Sequence, residues 1–140
     1  MYTRILLPLD GSAMAEKAVP FAVEQAVRFR AQLILLRVVE PIPHALSLAD
    51  LEDAGQQRME WARDYLESVA TKIRERGIQV RIVVTEEAPH VAITQYAETN
   101  GVDLIAICSR GRSGRSRWLM GSVADRVVRG ARVPVLLVRP

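Results

Sequence analysis

Cysteine is nearly missing from this chain: among its 140 residues only Cys108 carries a thiol. A single thiol excludes a disulfide-stapled scaffold and fits a reducing compartment, so a cytoplasmic protein is expected. Histidine is almost as scarce. His44 and His90 are far apart and, with Cys108, offer no metal-ligand spacing. They also give no Ser-His-Asp arrangement, and no catalytic residue is assigned. Aromatic residues make up 5% of the chain, too few for an interleaved stacking platform for RNA or single-stranded DNA. No apolar run is long enough to cross a bilayer. The opening MYTRILLPLDGS is interrupted too soon to read as a signal peptide. Charge of one sign is lacking too: 19 basic against 16 acidic residues leave +3, a bias that does not argue for nucleic acid as partner.

What remains is an ordinary globular composition, 49% apolar and 25% charged, at a length that fits one domain over 1–140. The run RILLPL at 4–9 does not alternate and reads as a strand buried on both faces. Asp10-Gly11-Ser12 forms the turn after it, with Ser12 as candidate N-cap. A helix is expected over 13–30, with Pro20 arguing for a kink or a later start. LILLRVV, within 31–39, is a second buried strand. The segment 40–55, with Pro41 and Pro43, reads as a long connection. The longest helix is expected over 56–76, stopped by Gly77. A third strand over 79–85 has enough polar residues for a sheet edge. A helix over 89–100 begins at Pro89. A fourth strand, Leu104 to Ile107, a loop, a helix over 122–130 and a last strand over 134–138 complete the order βαβαβαβαβ. Alternation of this kind means a parallel sheet covered by helices on both faces. A doubly wound order puts the first and fourth strands side by side, with a crevice at their carboxyl ends.

The loop after the fourth strand carries the chemistry. Arg110, Arg112, Arg115, Arg117, Arg126, Arg129 and Arg132 fall close together, and Asp125 is the only acid between Arg110 and Arg132. Gly111 and Gly114 allow backbone N–H groups to turn toward an anion. The helix starting near Gly121-Ser122 adds free N–H groups and a positive dipole end. Ser122 can bind a phosphate oxygen or cap its helix. The pattern is not a Walker loop, since no Gly-Lys-Ser/Thr is present, and DGSAMA after the first strand is not a dinucleotide fingerprint. Asp10, at the mouth of the crevice, can accept from a ribose or an adenine edge, help hold Mg2+ through water, or close an Asx turn on its own backbone. Val38, near the end of the second strand, either lines an adenine slot with its backbone or is strand core. Cys108 reads as a buried small hydrophobe, and Trp118 as an anchor of the loop.

Taken together, ILLPLDGS, LILLRVVEP, the Pro89-to-Ile93 segment, DLIAICSRGRSG and GSVADRVVRGARVPVLLVRP resemble the universal stress protein family across nearly the whole chain. The resemblance implies an open, Rossmann-like, parallel five-stranded sheet of order 3-2-1-4-5, similar to that of the adenine nucleotide alpha hydrolases. Nucleotide-binding members have a loop of the form Gly-x2-Gly-x9-Gly-Ser/Thr. Gly111 matches its second glycine and Gly121-Ser122 its final pair, whereas Cys108 stands at the first glycine position, where its Cβ and sulfur take space. Members often carry Gly-Asp where this chain has Glu87-Ala88. By that resemblance Asp10 lies on the ribose and adenine side, Val38 at the adenine-side backbone position, and Gly111, Gly121 and Ser122 on the phosphate side, with Arg112 and Ser113 as neighbours. The implied ligand is ATP, with Mg2+ as companion. Hydrolysis is expected to be slow at most, because no activating base is evident. The resemblance also implies a homodimer paired through the last strand, Val135 to Val138, in a stress-response or signalling role with protein partners. The competing readings are a dimer that binds no nucleotide and acts through protein contacts, and an anion- or nucleic-acid-binding role for the arginine loop.

Overall fold

A computed structural model of the chain describes residues 1–41, 47–112 and 119–140. Five strands form one sheet: β1 (Arg4–Pro8), β2 (Gln32–Val39), β3 (Val80–Glu86), β4 (Leu104–Cys108) and β5 (Val135–Val138). Their spatial order is β3-β2-β1-β4-β5 with parallel pairing throughout, as the sequence patterning and the resemblance led one to expect. The helices are α1 (Val19–Phe29), α2 (Leu48–Arg74), α3 (Pro89–Thr99) and α4 (Ser122–Gly130). Among the described residues, no helix is long and apolar enough to cross a membrane.

The lack of alternation in the central strands follows from two cores. Ile5, Leu7, Leu33, Leu35, Leu104 and Ala106 pack with residues of α1 and α2 on one face. Leu6, Ile34, Leu36, Val38, Ile105 and Ile107 pack with α3 and α4 on the other. Because successive side chains leave a strand on opposite sides, a strand covered on both faces is apolar at every position. β3 lies at one edge of the sheet, and its polar residues have solvent to face.

Two helix starts differ from the sequence reading. The segment 13–30 is not one helix: a 3-10 turn, Ala15–Ala18, precedes α1, whose first turn holds Pro20. There the missing proline N–H costs no helical bond. The helix ends at Arg30 in the left-handed conformation (φ 53°), its N–H donating back to Ala26 and Val27. The second difference is larger. α2 begins at Leu48, not near 56, so the upstream connection is shorter than expected. Ser47 starts it: its hydroxyl accepts from the Asp50 N–H at 3.2 Å and donates to the Asp50 carboxylate. This cap overrides the helix-weakening Gly55. Smaller shifts place β4's end at Cys108 and move β3 by one residue.

At the amino ends of the strands Asp103 fastens β1 to β4. Its carboxylate accepts from the Thr3 N–H (2.9 Å), the Thr3 hydroxyl (2.8 Å) and the Arg4 N–H (3.1 Å). Burial pushes its carboxyl up, but these donors outweigh burial and hold it below the ordinary value. The β1–β4 pairing joins Ile5 to Leu104 and Leu6 to Ile105 and stops short of the strands' carboxyl ends.

Candidate functional site

β1 ends at Pro8 and the chain turns at Asp10. One carboxylate oxygen of Asp10 accepts from the Ser12 N–H (2.9 Å) and the Ser12 hydroxyl. The Ser12 oxygen in turn accepts from the Ala15 N–H at 3.1 Å. This is the Asx turn that the sequence offered as one of the roles of Asp10, and it starts the 3-10 turn. The other carboxylate oxygen reaches across 102 positions of sequence to accept from the Arg112 N–H at 2.8 Å. The Arg112 guanidinium donates to the Asp10 carbonyl at 2.7 Å. Asp10 thus serves its own turn and holds the loop after β4. Burial raises its carboxyl, but the Ser12 hydroxyl, the Ser12 and Arg112 N–H groups and the Arg112 charge together hold it below its usual range.

This closure requires Gly111. A Cβ there would lie 2.5 Å from the Asp10 carboxylate oxygen, inside contact distance. Gly121 is placed nearly as tightly: its N–H donates to the Ser109 carbonyl at 2.7 Å, and a Cβ would stand 3.3 Å from that oxygen. Ser109 itself donates to Val138 at 2.7 Å, so the loop is anchored at both ends of its described part to the β4-β5 edge. Gly121, not Ser122, is the N-cap of α4, and it brings no side chain to cap that helix. Ser122 is the first helical residue, with its hydroxyl exposed.

Asp10, Val38, Gly111, Arg112, Gly121 and Ser122 all line one cleft of about 430 Å³ above the strand ends. That volume falls within the range of small-molecule sites. Ser113, Gly114, Arg115, Ser116, Arg117 and Trp118 lie outside the described residues, as does His44. The Val38 side chain is buried in the α3/α4 core, and Val38 also borders the cleft. Cys108 is buried in the other core cluster and also forms part of the cleft floor. His90 lies beside the cleft, in a neighbouring hollow with Glu87, Ser122 and Arg126. Among the described residues no group of three or more His, Cys, Asp or Glu side chains is placed to hold a metal ion.

The structure adds wall residues that the sequence reading did not single out, Arg37, Glu40 and Arg58, beside Arg110 of the arginine cluster and Ile93 of α3. Arg37 was legible as the one charge in LILLRVV, close to the strand's carboxyl end. Its guanidinium donates to the Val38 carbonyl at 2.8 Å. Burial and the nearby Arg112 charge lower its pKa, Asp10 opposing them. Arg58, from α2, gave no such signal, because an arginine on a long amphipathic helix ordinarily faces solvent. Behind this wall the Tyr65 hydroxyl is buried with no hydrogen-bond partner among the described residues. Burial, and after it the neighbouring Glu16 carboxylate, push its ionisation upward.

The chain matches the model of the universal stress protein family over residues 1–139. It is 31% identical to universal stress protein YxiE of Bacillus subtilis over 148 aligned residues, covering 99% of this chain and all of the other. It is 31% identical to universal stress protein MJ0531 of Methanocaldococcus jannaschii, over 99% of this chain and 83% of that one. The solved structure of hypothetical protein MJ0577 superposes with a TM-score of 0.87 at 28% identity, covering 100% of this chain and 97% of the other. With the five-strand order, these likenesses place the chain in the universal stress protein family.

Proposed function

We propose that the chain binds ATP, with Mg2+, in the cleft above β1, β2 and β4, and that the bound state is read out in a stress-response or signalling role. One observation carries this: the Asp10 carboxylate is locked to the Arg112 backbone N–H at 2.8 Å, which draws the Gly111 loop and the start of α4 onto one cleft with Val38. The helix start supplies unpaired N–H groups and a positive dipole end for phosphate oxygens. Gly111 and Gly121 keep that approach free of side chains. The remaining lone pairs of Asp10 suit ribose hydroxyls or a water on Mg2+, since each carboxylate oxygen accepts more than once. No carboxylate or histidine in the described wall stands out as an activating base, so turnover is slow at most. A homodimer joined through β5 in the cytoplasm completes the reading.

Calorimetric titration with ATP and Mg2+ tests it. Saturable binding is expected below millimolar concentration, weakened at least about tenfold by Gly111→Ala, whose Cβ breaks the Asp10 closure. Absence of saturable binding at millimolar ATP defeats it. One observation favours a second reading, a dimer that works through protein contacts without nucleotide: Cys108 occupies the cleft floor at the family's first glycine position. Binding that arises only after Cys108→Gly selects that reading.

A further inference from the structure

The cleft has a polar device at the end of β2, where Arg37 meets the Val38 backbone. Peptide groups on one side of β2 pair with β1 as far as the Leu36 carbonyl, which accepts from Leu9 at 2.9 Å. Two residues on, Val38 turns its peptide the same way, beyond the end of β1, and so toward the cleft. Left free, that peptide would offer one acceptor and one donor. Such a pair matches adenine, whose 6-amino group donates while N1 accepts. Here one of the two lone pairs of that carbonyl is taken: the half-buried Arg37 folds back and donates Nη1 to the Val38 carbonyl at 2.8 Å. A guanidinium has five N–H donors and no acceptor. With one donor spent on Val38, the wall presents further N–H groups beside that carbonyl. Arg58 and Arg112 line the same cleft, and so does Glu40, the one carboxylate beyond Asp10 among its described wall residues.

Resting on the proposal that the cleft binds a purine nucleotide, we infer that Arg37 determines base choice and turns it from adenine toward 6-oxopurines. An oxygen at position 6 receives the guanidinium donors, in the way arginine pairs with O6 and N7 of guanine. Glu40, in the same wall, is the acceptor available to the N1–H that a 6-oxopurine has and adenine lacks. Adenine instead sets its amino group against these donors, and competes with Arg37 for the Val38 carbonyl beside Arg58 and Arg112.

ATP and ITP differ only in this edge, so they are the probes. Each is titrated with Mg2+ into the wild-type protein and into Arg37→Met, which keeps a flexible stem and removes the donors. In the wild type ITP is expected to bind at least as tightly as ATP. In Arg37→Met the preference moves toward ATP by about tenfold, the discrimination expected of one well-placed bidentate contact. Wild-type affinity for ATP clearly above that for ITP overturns the inference while leaving the nucleotide reading intact. An ATP-to-ITP ratio unmoved by Arg37→Met also overturns it. If Arg37→Met does not fold, as judged by circular dichroism, the wild-type comparison decides alone. If neither nucleotide saturates the wild type, the nucleotide reading has failed and this inference falls with it.

Discussion

Asp10 is where turn, loop and site meet, and its carboxylate is the most exposed to test. The folded protein holds its carboxyl below the ordinary value near 4, because donors from Ser12 and Arg112 outweigh burial. A depressed folded value stabilises the native state above the unfolded value, and that contribution is lost as pH falls through the lower, folded value. Stability in urea is therefore expected to be level near neutrality and to decline below about pH 4. Asp10→Asn turns one acceptor into a donor that faces an N–H, so it should cost about 2 kcal/mol at pH 7. The same variant should show a shallower acid limb. Some of that limb must persist, because Asp103 is depressed in the same direction. An unchanged midpoint at pH 7 would mean that the Asp10 closure contributes nothing to the fold. Gly111→Ala is a second residue-scale test: the 2.5 Å approach to Asp10 predicts a loss of about 1–3 kcal/mol from overpacking, read from the same urea curves.

Among the elements, α2 is where local signals and outcome diverge. Gly55 sits in its interior, and a Cβ there would meet nothing within 4 Å. Gly55→Ala should therefore stabilise by about 0.5–1 kcal/mol, whereas the same change in an irregular connection would do nothing. Ser47→Ala should cost about 1 kcal/mol and speed amide exchange over 48–55. The early start of α2 was hard to read because Pro41, Pro43 and Gly55 carry strong breaking signals, while a Ser-x-x-Asp cap is short. The strands were legible for the opposite reason: RILLPL and LILLRVV have no polar face, and only a sheet covered on both sides has use for such runs. For α1 the ambiguity of Pro20 was visible, and its place in the first turn resolves it. Of the site, Asp10, Gly111 and Gly121-Ser122 could be found from turn chemistry and the family loop. The crossed contact from Arg112 to Asp10 could not, because it depends on how β1 and β4 register across the sheet. The backward fold of Arg37 onto Val38 is likewise a matter of rotamer, which no periodicity reports.

At the scale of the whole molecule the sheet has two edges, β3 and β5. In β5 the Pro134 and Val138 carbonyls accept from β4, so the peptides of Val135 and Leu137 point away from the sheet. Three of the four β5 side chains are only partly buried, which suits pairing with a second copy across a two-fold axis. Sedimentation at micromolar concentration should show a dimer. Val135→Pro removes an outward donor while sparing the β4 ladder, and should give a monomer; a wild-type monomer would end this part of the account. The strand ends, the Gly111 loop and the start of α4 line one cleft. The most direct test of nucleotide binding there is a crystal structure of the protein grown with ATP and Mg2+. The account predicts a base beside the Val38 backbone and Arg37, a ribose at Asp10, and phosphates against Gly111 and the Gly121-Ser122 helix start. An empty cleft at saturating nucleotide, or phosphates bound away from that helix start, would contradict it.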